Sequence, residues 1–317
     1  MATMKKLGLK RKIILPAIAL VVIAMGLSTA ATYYLSRRAF NRNAVDAFAV
    51  LTKSKAELLD LWIEDLKIQM QTASVRNVYR AVLKDNSESA GKAASADLVD
   101  QIKNNPALSY IHIVGADGEV KASSMPESVG KVKVGDREYF QRAMKGEIYV
   151  SNVYLARTTG KPAFAVAAPL KDGEKVMGII FGVPDIVKFS EKFVEPVKVL
   201  GSGYLYLFDP SGLVFAHRDK SQIMKLNLAE HEFGREILKR KQGELMYSDK
   251  GAKAFTYLEP CKTTGWTVAA VAPASEVFAE TNRMTLFNLG FFLFGLTAVV
   301  VVLSLIVRSV VTPINKI

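Results

Sequence analysis

The chain has 317 residues, half of them hydrophobic, with 42 Lys and Arg against 30 Asp and Glu and a formal net charge of +12. Its basic residues are scattered among acidic ones and are not interleaved with aromatics as a nucleic-acid groove requires, so the positive balance reads as a solvated surface. Cys261 is alone, which excludes a disulfide within the chain and leaves stability to the core.

Lys5, Lys6, Lys10, Arg11 and Lys12 open the chain as a basic cluster. From Ile13 to Ser36 there is no charged side chain, and at 1.5 Å rise per residue such a run covers the ~30 Å hydrocarbon core of a bilayer. Pro16 falls in the first turn, where its missing N–H has no partner to lose, and Tyr33 and Tyr34 fall where an interfacial aromatic belt would lie. A secretory signal peptide is the competing reading, with Ser28, Thr29 and Ala30 as small residues at a cleavage point. The length of the run and the helix-compatible sequence continuing through Arg37 and Arg38 favour an uncleaved membrane helix. The basic cluster then stays in the cytoplasm, a tendency weakened by Arg37, Arg38 and Arg42 on the other side, and the chain from Arg37 to Arg283 lies outside.

From Arg38 to about Lys84 the chain lacks Pro and Gly and carries Phe48, Leu51, Leu58, Trp62, Leu66, Val75, Val78 and Val82 at helical spacing. The expectation is one long helix, its apolar stripe packing either on its own modules or on a second chain. The segment Asp85–Ala96, with Asn86, Ser87, Ser89, Gly91 and Ser95, reads as the loop that ends it.

An internal repeat follows. Residues Tyr110–Ser123 align without a gap on Tyr204–His217, each an apolar strand, a turn containing Gly118 or Gly212, and a second strand, so both read as β-hairpins. After the first comes a helical stretch with Tyr139, Phe140, Ala143 and Met144, closed at Gly146. After the second comes Phe233–Arg240, closed at Gly243. Two further strands complete each copy: Ala163–Pro169 answers Ala254–Pro260, and Val176–Pro184 answers Gly265–Pro273. A short helix laid on an antiparallel sheet is an α+β module, and two in tandem fill the outer span. A second charge-free run, Met284–Val307, is bounded by Arg283 and Arg308 and reads as a second membrane helix.

The stretches GDREYFQRAMKG at 135–146, VSNVY at 150–154, TGKP at 159–162, AAP at 167–169 and VMGII at 176–180 resemble the double Cache sensor domains of bacterial chemoreceptors and sensor kinases. The resemblance covers nearly the whole chain. It implies two PAS-like modules behind a long N-terminal helix, the membrane-distal one holding the ligand and the membrane-proximal one leading into the second membrane helix. Residues 308–317, RSVVTPINKI, resemble the opening of a HAMP linker. The expected division is a cytoplasmic N-terminus 1–12, transmembrane helix 13–36, long helix 37–90, distal module 91–190, proximal module 191–275, connecting helix 276–283, transmembrane helix 284–307 and linker 308–317.

In that family an Arg and nearby aromatics, matching Arg137, Tyr139 and Phe140, bind the carboxylate of a small ligand, frequently an amino acid. The chemistry suits Arg, whose planar guanidinium bonds both carboxylate oxygens and cannot lose its charge. Tyr154 and Phe181, on the strands that follow, are candidates for the same cavity. For each there is a plainer alternative: Arg137 paired with Asp136 or Glu138, and Tyr139 and Phe140 as core. The amino-acid form of the motif carries an aromatic where this chain has Val132, and an acid, which pairs the α-ammonium, near the position of Val183. Asp185 is close in sequence, with Pro184 making the local alignment uncertain. Burying an ammonium without a partner is costly, so a small carboxylate without an amine is the favoured ligand and an amino acid the second.

His112, His217 and His231 have no metal-ligand spacing, Cys261 has no neighbouring base, and no phosphate-binding loop occurs, so neither an enzyme nor a cofactor is expected. The reading is a chemoreceptor sensor region in the inner membrane, homodimeric, passing its signal to cytoplasmic proteins through a further output domain. The alternatives are a histidine kinase or diguanylate cyclase sensor and, further off, a membrane-tethered binding protein.

Overall fold

The computed structural model describes residues 9–306 apart from Asn86, Thr158 and Lys250. The expected linker at 308–317 and the first residues of the N-terminal segment lie outside the described residues. The chain divides into two units, one of residues 47–274 and one formed by the segments up to Asp46 and from Ser275 onward.

Helix α1 (Leu9–Ser74) runs from the second unit into the first. Within the first unit it buries Ala56, Leu59, Ile63, Leu66, Met70 and Ala73, a three-and-four spacing that defines one face. The expected single helix to Lys84 is instead broken at Val75 and Arg76, and α2 (Asn77–Asp85) follows, turning Tyr79 and Val82 into the core. No Pro or Gly marks that break; burial of Tyr79 overrides local propensity. The expected loop at Asp85–Ala96 is also corrected. Helix α3 (Glu88–Asn104) starts inside it, and Ser87 is its N-cap, accepting the backbone N–H of Ala90 at 3.2 Å. Serine and asparagine favour caps for the same reason they favour loops, their side chains competing for backbone hydrogen bonds.

The distal sheet is built from β1 (Leu108–Gly115), β2 (Val120–Ser123), β3 (Tyr149–Val150), β6 (Val166–Asp172) and β7 (Lys175–Pro184), all antiparallel in the order β2-β1-β7-β6-β3. Between β2 and β3 lies α4 (Glu138–Met144), and a small ribbon of β4 (Tyr154–Leu155) and β5 (Pro162–Ala163) stands beside the sheet. After α5 (Ile186–Phe193) and β8 (Lys198–Val199) the proximal sheet repeats the plan. Its strands are β9 (Gly203–Phe208), β10 (Val214–His217), β11 (Gly243–Asp249), β12 (Ala252–Pro260) and β13 (Thr267–Pro273), in the order β10-β9-β13-β12-β11, with β8 pairing on β9 and α6 (Glu232–Arg240) between β10 and β11. Both hairpins, both helices and the strand order follow the repeat. Gly146 and Gly243 both take positive φ after their helices, at 94° and 91°; one detail differs, in that the cap of α6, Lys241, is itself left-handed at φ 63° whereas the cap of α4, Lys145, is not.

Gly118 fixes the loop before α4. Its φ is +75°, and a Cβ there would meet the Cα of Gly135 at 2.7 Å, so only glycine lets the hairpin turn touch the loop before α4. Its carbonyl accepts the N–H of Val134 at 2.8 Å, and the Gly212 carbonyl accepts Leu228 N–H at 2.8 Å in the second copy. The proximal module is fastened to α1 at its β12–β13 turn, where the N–H groups of Lys262 and Thr263 donate to the Asp60 carboxylate at 2.9 and 3.0 Å. Beside this turn the ring of Trp266 packs between Phe164 and Phe215, at 4.9 and 4.8 Å.

In the other unit, α7 (Ala274–Val277) is followed by α8 (Ala279–Ile306), and Thr281 donates its hydroxyl to Asn41 at 3.0 Å. The segment Ala279–Val302 of α8, 24 residues, is long and apolar enough to cross a membrane, and Leu286, Phe291 and Phe294 stand exposed along it. The apolar stretch Ala19–Leu35 within α1 is shorter.

Candidate functional site

Arg137 occupies the residue before α4, in extended conformation, with its carbonyl accepting the N–H groups of Phe140 and Gln141 at 3.1 Å. That placement lifts its side chain off the helix and over the ring of Tyr154, with Cζ 4.9 Å from the ring centroid. Tyr139, the second residue of α4, stacks on Tyr154 at 5.8 Å and tilts against Phe181 at 5.0 Å. Sheet register explains the Phe181 side. Phe181 in β7 stands opposite His112 in β1 and Ala167 in β6, and opposite residues of an antiparallel sheet share a face. Tyr110 and Val183 form the next pair on that face, above which α4 packs Tyr139, Phe140 and Ala143.

Of the two alternative partners of Arg137, Asp136 is engaged elsewhere: Arg157 takes its carboxylate with two N–H bonds at 2.9 and 2.6 Å, which holds that carboxyl below the usual range. Glu138 is exposed on the first turn of α4. Among the described residues Arg137 makes no salt bridge. A guanidinium half-buried over an aromatic ring and without a carboxylate is ready for an external anion. Burial, chiefly, raises the ionisation of Tyr139 and Tyr154 well above the ordinary tyrosine range. They therefore remain neutral hydroxyls. Tyr110 is near enough to oppose the ionisation of both.

The structure thus brings Arg137, Tyr139, Tyr154 and Phe181 together. Phe140 is buried in the same core, with no ring contact to that group among the described residues. Asp185 is placed elsewhere: it caps α5, accepting the N–H of Lys188 at 3.0 Å and pairing with the Lys188 ammonium at 3.2 Å. Val183 is buried beside Tyr110 where an acid would be wanted for an amine. Sequence reasoning missed Tyr110 and His112, which share the face of Phe181. The signal was the two-residue alternation of Tyr110, His112 and Val114 along β1.

The Cache domain model of the dCache_1 type matches residues 36–281. A probable methyl-accepting chemotaxis protein of Bacillus thuringiensis subsp. konkukian is 24% identical over 219 residues, 68% of this chain and 32% of that protein. The methyl-accepting chemotaxis protein PscA of Pseudomonas syringae pv. tomato is 24% identical over 285 residues, 87% of this chain and 43% of that protein. The chain therefore spans less than half the length of these curated relatives. Among solved structures, the ligand-binding domain of the Pseudomonas aeruginosa amino acid chemoreceptor PctB, in complex with L-arginine, superposes with a TM-score of 0.58 at 16% identity. That superposition covers 75% of this chain and 98% of that one and shows a shared fold. Family match over most of the chain, two tandem modules of one plan and the Arg-aromatic group before α4 agree: this chain belongs to the dCache_1 Cache domain family.

Proposed function

We propose that the chain is the sensor region of a membrane chemoreceptor whose distal module binds a small carboxylate lacking an amine. One observation carries the ligand class: Arg137 stands over Tyr154 with no carboxylate partner, because Arg157 has taken Asp136. An amino acid, the ligand class of the structurally similar chemoreceptor, needs an acid for its ammonium. Here Val183 is apolar and Asp185 is committed to a helix cap. The proximal equivalent of the Arg-aromatic segment is Phe233-Gly234-Arg235, which lacks the paired tyrosines, so the ligand belongs to the distal module.

The division at residues 37, 91, 191, 276, 284 and 308 is part of the same proposal, with α8 and the apolar stretch of α1 as inner-membrane anchors around an outer sensor. A homodimer is supported by Leu61 and Ile68, one heptad apart and exposed on α1. A methyl-accepting output domain following α8 would complete the receptor, since the chain spans less than half of such relatives. The test is a thermal-shift screen of the 317-residue chain in nanodiscs against small organic acids, amino acids and neutral compounds, because a ligand that binds only the folded state raises its apparent stability. A carboxylate stabilises the wild type and not Arg137→Ala, a truncation that costs ~30-fold or more in affinity. Stabilisation by neutral or cationic compounds alone, or undiminished carboxylate binding by Arg137→Ala, overturns the proposal.

A further inference from the structure

One polar group on the ligand-side face of the distal sheet is left unanswered by the fold. His112 sits in the middle of β1, 1% exposed, with Nδ1 at 2.6 Å from the Ser123 hydroxyl oxygen. That oxygen accepts the backbone N–H of Met125 at 2.7 Å, and among the described residues Nδ1 is the acceptor within reach of the hydroxyl proton, which we therefore assign to the Ser123–Nδ1 bond. A neutral imidazole that accepts at Nδ1 carries its proton on Nε2. Nε2 is buried and has no hydrogen-bond partner among the described residues. Burial pushes the ring's pKa down to about 4, so it stays neutral at the working pH.

A buried N–H without an acceptor is uncommon in a native fold and calls for a reason. The register supplies one. His112 stands opposite Phe181 and meets its ring edge-on at 5.2 Å, and Phe181 in turn touches Tyr139. On the other side lies the ring of Tyr110, at 4.7 Å. His112 therefore shares both the face and the ring cluster of the site under Arg137.

The geometry points to His112 Nε2–H as a ligand contact in the Arg137 site, donating to an oxygen of the bound acid other than the carboxylate that Arg137 holds. This rests on the carboxylate reading above and narrows it. The ligand class becomes 2-oxo acids, 2-hydroxy acids and short dicarboxylates. A neutral N–H gives nothing to a bare alkyl chain and opposes an ammonium, donor against donor, which independently disfavours amino acids.

The test measures binding of propionate, pyruvate, lactate, malonate and succinate to the 317-residue chain in nanodiscs by calorimetry. At least one oxygen-bearing acid binds ~10-fold or more tightly than propionate, the factor one net hydrogen bond supplies. In His112→Phe that ratio falls to within ~2-fold, and His112→Gln, which keeps an N–H, restores part of it. A wild-type ratio near one, or a ratio undiminished in His112→Phe, overturns the inference and leaves Nε2–H to a resident water.

If none of the acids binds, or all bind Arg137→Ala as well as wild type, the carboxylate reading has failed and this inference falls with it. Should the variants not fold, imidazole ¹⁵N spectra of wild type decide, since the chain holds only three histidines. The His112 Nε2 resonance moves with the tightest oxygen-bearing acid and not with propionate; a resonance indifferent to both overturns the assignment.

Discussion

Replacing His112 by Phe should flatten the acid side of the stability profile. The ring's pKa is about 4 in the fold against an ordinary 6.5, because burial disfavours its charged form. An unfolded chain therefore binds a proton that the folded one refuses, and stability is lost as pH falls from about 6.5 towards 4. Two and a half pH units at 1.36 kcal/mol each give a full loss of about 3 kcal/mol below pH 4. Between pH 7 and pH 5 the same linkage gives ~2 kcal/mol, since protonation of the unfolded ring is nearly complete at pH 5 while the folded ring is still neutral. Chemical denaturation of wild type and His112→Phe at both pH values isolates this contribution. Burial also lowers the pKa of His217, which acts in the same direction, but that residue is present in both proteins and cancels. The wild type should lose ~2 kcal/mol more than the variant between the two pH values. Parallel profiles would refute the reasoning, showing that the ring charges inside the fold without cost.

Asp185→Ala should cost about 1 kcal/mol of stability, the usual value of a helix N-cap, and leave acid binding unchanged in the same calorimetry. A tenfold loss of affinity would return Asp185 to the site. Gly118→Ala forces a side chain into a left-handed conformation and against the backbone of Gly135, so a loss of ~2 kcal/mol in thermal denaturation is expected. It should also weaken acid binding, because Gly118 anchors the loop that carries Arg137; unchanged affinity would show that the loop holds itself.

What the sequence made legible was local. The hairpins at Tyr110–Ser123 and Tyr204–His217 could be read because two-residue alternation and a turn glycine fix both strand and turn within a few residues. The end of α1 could not, since Ser74, Val75 and Arg76 contain no breaker and the chain turns there to bury Tyr79, a decision made by distant residues. Asp85–Ala96 was misread for a different reason: Ser87 chose the helix-capping use of its hydroxyl over the loop-forming one. At the site, Arg137 and Tyr139 could be singled out through the family motif, and Tyr154 and Phe181 as side chains of the strands that follow; their rings and the guanidinium do meet in the fold. Asp136 illustrates the limit, because nothing in its spacing shows that Arg157, 21 residues on, engages it and leaves Arg137 without that ion pair. His112 was visible as an apolar strand's lone imidazole, but its orphaned nitrogen emerges only when Ser123 is brought across the hairpin.

The Asp60 contact has a mechanical corollary. Its carboxylate grips the turn at one end of β13, and at the other end Pro273 leads into α7. Strand β13 is paired along its length with β9 and β12, so it behaves as a strut of fixed length, ~3.3 Å per residue, and not as a tether. The strut is joined to α1 by more than Asp60: the Thr263 hydroxyl donates to the Glu64 carboxylate at 3.2 Å and the Cys261 thiol to the Ala56 carbonyl at 3.8 Å, so one end of β13 is pinned to Ala56, Asp60 and Glu64, a single face of the helix over about two turns.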